Sequence, residues 1–536
     1  MNINSKPNYA SAPVFNKQQL LSYYQDVALT DSQFDALIKF VDFLKGPTQI
    51  FILNGYAGTG KTFLIKGMIH YLFDLNLPVA LTAPTGKAAR VLENKLDLMA
   101  GTIYSFIYSQ PQPIDEQVEK SHKRKFRMIS HLLDNQDLPF NQILFIDESS
   151  LISNIFSDRD VFVFGSGKLL EDIFTFMELP ACPYRKIIFI GDNSQLPPVH
   201  MTLSPAMSPD YLKHKFNYPT CFYQLTDVVR QKQDSSILQN SLMLRRQIES
   251  NSYQSLTFTC DLSCKKLPFE YITSHYLAFG KAHGFSKEVI ICASNKLAHT
   301  YNVWIRSKLF PSKKAIQEGD YIIIAINNHL YGLNNGDIVR VKKILNRAPT
   351  IETIVWQFNH HLNKKTATPV KFNFIELIIE YIDHNKLVTK EITIYENLLY
   401  SENATLTEVE FQGLFQFAES RFNLLYPHKK RADFSTSQEF TAFKIDRKEK
   451  RNEFLKKDTL LNSVKCKFAY AITCHKAQGS EWKRVYVDCS YYSSNLLSEQ
   501  YFRWLYTAIT RSKESLFLIN HQDISVETNF DRYKFT

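Results

Sequence analysis

GYAGTGKT (residues 55–62) is the stretch that decides the fold of this chain. It fits the pattern G-x-x-x-x-G-K-[S/T], follows the apolar run TQIFILNG (48–55) and precedes FLIKGMIHYLFDL (63–75), whose spacing predicts an amphipathic helix. A glycine-rich loop between a strand and a helix can curl so that successive backbone N–H groups point at phosphate oxygens. Because the chain has only 17 Gly, we favour a nucleotide-phosphate loop over a glycine-rich turn without a ligand.

The loop and one strand end together predict a site for ATP and Mg²⁺. Lys61 would neutralise charge on the β- and γ-phosphates, and the Thr62 hydroxyl would bind Mg²⁺. The apolar run QILFIDE (142–148) ends in two carboxylates; we assign Asp147 to Mg²⁺ through water and Glu148 to the attacking water. The other nucleotide contacts that the loop predicts are Gly55, Ala57, Gly58, Thr59 and Gly60.

Short apolar runs alternate with helical stretches in both halves of the chain. Besides 48–55 and 142–148, they are PVALTAP (78–84), KIIFIGD (186–192), EVIICASN (288–295), KFAYAIT (467–473), RVYVDCS (484–490) and SLFLINH (515–521). Apolar strands separated by helices indicate a parallel sheet covered on both faces. Ligands bind such sheets at the carboxyl ends of the strands, where the polar residues above stand. The fold class is therefore α/β, with two parallel-sheet domains.

Two stretches interrupt this alternation. Residues 100–141 are too long for a simple connection and carry a basic cluster (122–127), so we predict a small insertion in a first domain spanning 1–235. Residues 319–461 have alternating runs around Asn-Asn-Gly-Asp (334–337), which predicts a β-barrel inserted in a second domain made of 236–318 and 462–536. The charge run 443–458 predicts a solvated helix face, with a nucleic-acid contact as the alternative.

Composition limits the class of protein. The 63 Lys and Arg against 53 Asp and Glu give a net charge of +10, which is compatible with a polyanionic partner without identifying one. The aromatic content of 13% serves either core packing or base stacking. The 8 Cys lack zinc-site spacing, and the sequence has neither a signal-peptide pattern nor a membrane-spanning apolar run. We therefore expect a cytoplasmic chain with free thiols and no membrane segment.

These motifs, in this order, resemble those of superfamily 1 helicases, and most closely the subclass B group of RecD-like and bacteriophage Dda-like enzymes. The resemblance covers residues 25–235 and 285–525. It implies two RecA-like domains with an SH3-like barrel inserted in the second. It also implies ATP-driven movement on single-stranded DNA, a cytoplasmic location that includes a phage-infected cell, and action as a monomer at duplex forks beside single-strand-binding or replication proteins.

In the first domain the resemblance implies further contacts. LTDSQ (29–33) looks like the Q motif, so Gln33 would recognise adenine. TAPTGKAA (82–89) looks like motif Ia, a single-strand contact. TIYS (102–105) stands where motif Ib commonly reads Thr-Ile-His-Ser. Because tyrosine replaces the histidine, its ring would stack on a base instead. Within GDNSQLPP (191–198), Gln195 would couple the γ-phosphate to the DNA groove. The implied DNA contacts in this half are Pro84, Thr85, Lys87, Thr102, Tyr104 and Ser105.

In the second half three more motifs match. LTDVVRQ (225–231) looks like motif IV, with Arg230 reaching the γ-phosphate, and YTAITR (506–511) looks like motif VI, with Arg511 as the arginine finger. YAITCHKAQGSE (470–481) looks like motif V, in which Gly479 and Glu481 would face the nucleotide. The implied DNA contacts in this half are Asn295, Thr473, His475 and Lys476.

The implied activity is unwinding of duplex DNA, with 5′→3′ polarity taken from subclass B. The insertion at 100–141 is the candidate strand-separation pin, with Phe106, Tyr108 and Phe126 as rings at the fork; packing of these rings onto the first domain is the alternative. A translocase subunit of a recombination or repair complex, unwinding little alone, would carry the same motifs, and an RNA helicase is a further alternative. A phosphate-loop ATPase without motor activity would lack motifs V and VI.

Overall fold

The first α/β domain is built on a six-stranded parallel sheet. The computed structural model of the chain describes residues 13–117, 124–156, 162–228, 235–359, 364–383, 386–490 and 496–525. Across the first sheet the strands are, in order, Gly101–Thr102, Val79–Ala83, Ile143–Ile146, Lys186–Gly191, Ile50–Gly55 and Thr220–Leu225. Every residue of Ile50–Gly55 is buried, as its apolar sequence predicts for a strand covered on both faces.

Helices cover both faces of this sheet. Phe51 and Leu53 pack in one core with helices Asp31–Lys45 and Lys61–Asp74. Ile50 and Ile52 point to the opposite core, because successive strand residues alternate between faces. The helices that contribute to that second core are Ile103–Ile107, Leu169–Met177 and Pro209–Phe216.

The predicted insertion contains a β-hairpin, Gln112–Gln117 and Arg124–Ser130, which Phe162–Phe164 extends as a third strand. It leaves the domain later than residue 100, because Gly101–Thr102 is part of the main sheet. The Phe106 ring meets Phe176 edge-on at 5.6 Å, and the buried Tyr108 donates a hydrogen bond to Asp172 at 2.6 Å. These two rings therefore pack onto the first domain, the alternative stated above, because the short helix Ile103–Ile107 and the residue that follows it face the core. Phe126 lies in the second hairpin strand.

The second α/β domain repeats the design with five parallel strands. In order across the sheet they are Cys264–Leu267, Ser512–Ile519, Trp482–Asp488, Glu288–Cys292 and Ala471–Thr473. Ile290 and Cys292 join one core, and Val289 and Ile291 join the other. The helices around this sheet are Ser236–Glu249, Ile272–His283, Asn295–Leu309, Cys474–Ala477 and Glu499–Ile509.

A closed five-stranded barrel is inserted in this domain. Its strands are Tyr321–Ile324, Ile338–Arg347, Phe374–Asp383, Lys386–Tyr395 and Val464–Phe468. The run 467–473, predicted as one strand, is split: Val464–Phe468 closes the barrel beyond the predicted end at 461, and Ala471–Thr473 joins the sheet. Tyr470 sits at the break, where its hydroxyl donates to Asp320 at 2.9 Å and ties the barrel to the sheet.

Two excursions leave the barrel. A hairpin of Ile351–Asn359 and Lys364–Phe372 connects the second and third barrel strands, which are antiparallel neighbours. Helices Glu408–Leu425 and Ser437–Lys457 connect the fourth and fifth strands, which are parallel neighbours. In Ser437–Lys457 only Leu455 is buried, so the helix is largely solvated, as the charge run predicts. Of the helices within the described ranges, none is long and apolar enough to cross a membrane.

Candidate active site

The phosphate loop joins strand Ile50–Gly55 to helix Lys61–Asp74. Gly60 caps the helix with φ +83°, a left-handed conformation that glycine adopts without strain. A Cβ on Gly60 would lie 2.5 Å from the Gln33 amide nitrogen, so a larger residue would displace the Gln33 side chain. The Lys61 ammonium bends back and donates hydrogen bonds to the carbonyls of Gly55 and, at 2.9 Å, Tyr56. Lys61, the residue predicted to bind phosphate, is therefore hydrogen-bonded to carbonyls of its own loop.

Asp147 and Glu148 follow the neighbouring strand Ile143–Ile146. Glu148 has φ 51°, a conformation uncommon for residues other than glycine and frequent at strained functional sites. Burial raises the pKa of both carboxyls above their ordinary values. The positive charge of Lys61 opposes this rise in both cases. Arg511 of the second domain also opposes the rise in the pKa of Glu148, which places its charge near that carboxylate.

A cleft of about 810 Å³ brings most of the predicted nucleotide residues together. It is lined from the first domain, the second domain and the barrel. The predicted residues along its walls are Ala57, Gly58, Gly60, Lys61, Thr62, Lys87, Asp147, Glu148, Gln195, Gly479, Glu481 and Arg511. Gly55 and Thr59 lie within the loop itself, while Arg230 falls outside the described residues. A hydroxyl and a carboxylate, Thr62 and Asp147, thus face one cavity, and oxygen donors of this kind suit Mg²⁺.

The second domain approaches this cleft through motifs V and VI. A Cβ placed on Gly479 would be 3.9 Å from Glu148 Oε1, so the two domains nearly touch at the carboxylate. Glu481 pairs with Lys513 at 3.3 Å. The Arg511 guanidinium donates to the Thr507 carbonyl at 2.9 Å, and only 4% of the residue is exposed. The predicted arginine finger thus rests on the end of its own helix beside the cleft.

The segment 191–198 is docked directly on helix Glu499–Ile509 of the second domain. Tyr506 donates a hydrogen bond to Asp192 at 2.9 Å, and the Leu196 amide donates to Thr507 at 2.8 Å. The buried Gln195 side chain lies beside them, and its Oε1 has no hydrogen-bond partner among the described residues. A buried acceptor without a partner is costly, which fits a side chain arranged for a group that enters the cleft.

Gln33 is engaged within the first domain. Its side-chain oxygen accepts from the Thr30 amide at 3.1 Å, and its amide nitrogen donates to the Thr59 carbonyl at 3.0 Å. The first bond belongs to a capping box at the start of helix Asp31–Lys45. The residue predicted to recognise adenine is therefore buried as a link between that helix and the phosphate loop. The pattern Thr30-x-x-Gln33 is the sequence signal for this role.

The predicted DNA contacts lie at the carboxyl ends of one edge strand and its neighbour in each sheet. In the first sheet these strands are Val79–Ala83 and Gly101–Thr102; in the second they are Ala471–Thr473 and Glu288–Cys292. Thr85 and Thr102 both cap the helices that follow them, and Ser105 bonds to Thr102. Tyr104 packs edge-on against Phe164 at 4.9 Å, and Lys87 lies 5.3 Å over the Trp482 ring. Pro84 and Thr473 are buried, His475 is exposed, Lys476 is half-buried, and Asn295 begins a helix.

Sequence reasoning missed the contact between the barrel and the first domain. Arg90, on the helix after motif Ia, donates to Asp337 at 2.8 Å and to the Gly332 carbonyl at 3.1 Å, and it lies 3.4 Å from Asp383. The fit is close, because a Cβ on Gly86 would be 2.4 Å from the Asn334 side chain. No local pattern signals this contact, since its partners are more than 240 residues apart in the chain.

Comparisons with known proteins agree with this arrangement. Family models described as an AAA domain and a UvrD-like helicase C-terminal domain match residues 28–159 and 468–519. The ATP-dependent DNA helicase dda of phage T4 is 24% identical over 502 residues, which cover 92% of this chain and 99% of that protein. The RecBCD enzyme subunit RecD of Buchnera aphidicola is 24% identical over 507 residues, covering 90% of this chain and 72% of that protein.

A structure of Pif1 helicase from Bacteroides in complex with ADP-AlF3 and ssDNA aligns with 95% of this chain and 97% of its own, at 14% identity and a TM-score of 0.42. The order of the motifs, the two parallel sheets and the full-length relatives agree with one another. The chain is similar over most of its length to superfamily 1 helicases, in the group of RecD-like and Dda-like proteins.

Proposed function

We propose that this chain hydrolyses ATP and uses the cycle to move along single-stranded DNA and separate duplex strands. The observation that carries the proposal is the cleft in which the phosphate loop and Glu148 of one α/β domain meet Gly479 and Arg511 of the other. Because both α/β domains contribute residues to the site, hydrolysis depends on the position of one domain relative to the other. A phosphate-loop ATPase with a single α/β core has no such dependence.

The roles of the cleft residues follow from their positions. Lys61 would leave the Gly55 and Tyr56 carbonyls for phosphate oxygens. Thr62 and Asp147 would hold Mg²⁺, which when bound neutralises phosphate charge. Glu148 would accept the proton of the attacking water, a task that suits a buried carboxylate whose pKa is raised towards the working pH. Arg511 would turn from the Thr507 carbonyl towards the charge that develops on the transferred phosphoryl group.

Coupling to DNA would run through the docked segment 191–198. Gln195 stands between the cleft and the Tyr506–Asp192 contact, so a change at the phosphates shifts a contact between the two domains. Thr85, Thr102, Thr473 and His475 lie at the carboxyl ends of strands at one side of each sheet, where helix N-termini present backbone N–H groups suited to DNA phosphates. Alternate gripping by the two domains would then move the chain in the 5′→3′ direction of subclass B.

Two substitutions separate binding from hydrolysis. Lys61→Ala removes phosphate charge compensation, so both nucleotide affinity and turnover should fall; Lys66→Ala, an exposed position on the same helix, is the matched control. Glu148→Gln should keep nucleotide affinity and lose turnover, since only the base is removed. Wild-type hydrolysis by Glu148→Gln would exclude Glu148 as the base.

Substrate and polarity need a separate experiment. ATPase activity is measured in the presence of single-stranded DNA, of duplex DNA and of RNA, and the three rates are compared. Strand displacement is then measured on 5′-tailed and 3′-tailed duplexes. We expect stimulation by single-stranded DNA and unwinding of the 5′-tailed duplex. Stimulation without displacement would indicate a translocase that unwinds little alone, stronger stimulation by RNA would indicate an RNA helicase, and a 3′-tail preference would contradict the subclass B polarity.

A further inference from the structure

Tyr56, the second residue of the phosphate loop, is held from outside its own domain. The residue is 2% exposed, and its hydroxyl donates to Glu249 and accepts from Gln224. The Arg245 guanidinium lies 3.6 Å above the centre of the Tyr56 ring. Gln224 belongs to the first sheet, but Arg245 and Glu249 lie on helix Ser236–Glu249, which packs in the core of the second α/β domain.

Arg245 is poorly satisfied for a charged side chain that is 14% exposed. Its Nε and Nη1 atoms are buried without a hydrogen-bond partner among the described residues, and Glu249 lies 3.6 Å away from Nε. An arginine at an ordinary structural site uses its donors on carbonyls or carboxylates. Here stacking on Tyr56 is the main contact, and a desolvated cation over an aromatic ring is a strong interaction.

The Tyr56 backbone leads from this contact to the nucleotide site. Its carbonyl accepts a hydrogen bond from Lys61, and another from the Thr59 hydroxyl at 3.0 Å. The Arg245 charge also opposes the rise that burial causes in the pKa of Tyr506, whose hydroxyl bonds to Asp192. The guanidinium therefore contacts the phosphate loop from a helix that packs in the core of the second domain.

We propose that Arg245 is a positioning residue for nucleotide binding: by stacking on Tyr56 it sets the opening of the phosphate loop according to the position of the second domain. The proposal rests on the proposed ATPase function. Arg245 itself touches no phosphate. It acts through Tyr56. When Arg245 stacks on Tyr56, the phosphate loop keeps the curved form in which its N–H groups can bind phosphate. When this contact is lost, the loop does not keep that form.

The test measures ATP turnover with single-stranded DNA, and equilibrium binding of a fluorescent ADP analogue, in Arg245→Met. Met keeps the length of the side chain and removes the charged plane. Arg246→Met, at the exposed neighbouring position of the same helix, is the matched control. We expect Arg245→Met to raise the KM for ATP and the Kd for the analogue about tenfold, with kcat at saturating ATP within about twofold of wild type. Arg246→Met should change neither constant.

Two results would overturn the proposal. The first is an unchanged KM and Kd in Arg245→Met. The second is a rise in KM accompanied by a parallel fall in kcat and in melting temperature, which would indicate a merely structural role. Tyr56→Leu adds an independent check. Because Arg245 acts through Tyr56, the double variant should bind the analogue no more weakly than Tyr56→Leu alone, and additive losses would contradict this. If the wild-type chain hydrolyses no ATP, the proposed function fails, while analogue binding still decides the role of Arg245.

Discussion

Glu288 allows the electrostatics of the second α/β domain to be tested quantitatively. It opens the buried strand Glu288–Cys292, is 1% exposed, and has the Tyr486 hydroxyl 3.4 Å from its carboxyl. Burial raises its pKa from 4.5 to about 9. The folded state therefore binds this proton more tightly than the unfolded state, and the free energy of unfolding falls as pH rises between these two values. Each pH unit in that window corresponds to about 1.4 kcal/mol.

The perturbation is Glu288→Gln, which keeps the shape and removes the titration. Between pH 5.5 and 7.5 the wild type should lose about 3 kcal/mol of stability that the variant keeps. Urea unfolding followed by tryptophan fluorescence suits the measurement, because all four Trp lie in the second half of the chain, three of them in the second α/β domain. If the stability difference between variant and wild type does not change with pH, Glu288 is not protonated in the folded protein at neutral pH.

Three more predictions use other parts of the molecule. Burial and the neighbouring Asp147 raise the pKa of Glu148, so kcat for ATP should fall on acidification at a higher pH than an ordinary glutamate gives; a kcat that stays flat down to pH 5 would contradict this. Arg90→Met and Asp337→Asn should be non-additive in urea unfolding, with a coupling energy of about 1–3 kcal/mol, whereas additive losses would show that the ion pair contributes nothing. Shortening the hairpin 112–130 should abolish strand displacement and leave DNA-stimulated ATPase and thermal stability near wild type; equal loss of all three would refute a role at the fork.

The strands and the nucleotide cleft were predictable because their signals are local. An apolar run that ends in Gly55 or Asp147 reports both a buried parallel strand and the polar end where ligands bind. The split of 467–473 was not predictable, because Phe468 and Ala471 are both apolar and only the closure of the barrel assigns them to different sheets. Gln33 shows a different difficulty: its capping-box pattern is visible in the sequence, but the bond to Thr59 depends on how the helix meets the phosphate loop.

Contacts between distant elements account for the rest. The sequence places Tyr104 in a DNA-binding motif, yet the ring packs against Phe164 because a third strand crosses behind it. Arg90 and Arg245 look like ordinary surface arginines in the sequence. Their partners, Asp337 and Tyr56, are brought to them by the barrel insertion and by the packing of the second domain on the first.

The two excursions from the barrel differ in how freely evolution or an engineer could remove them. The hairpin leaves at Arg347 and returns at Phe374, the adjoining ends of antiparallel strands, where the Ala348 amide already bonds to the Phe374 carbonyl at 3.1 Å. A tight turn in place of the hairpin would still join the two barrel strands, but the helix Glu408–Leu425 would lose its packing against the buried Val355 and Phe372. The helices 408–457 join parallel strands, and a parallel pair needs a connection that crosses the full length of the barrel. The strand order of the barrel thus does not require the hairpin, whereas some form of the helical segment is obligatory for a barrel of this topology.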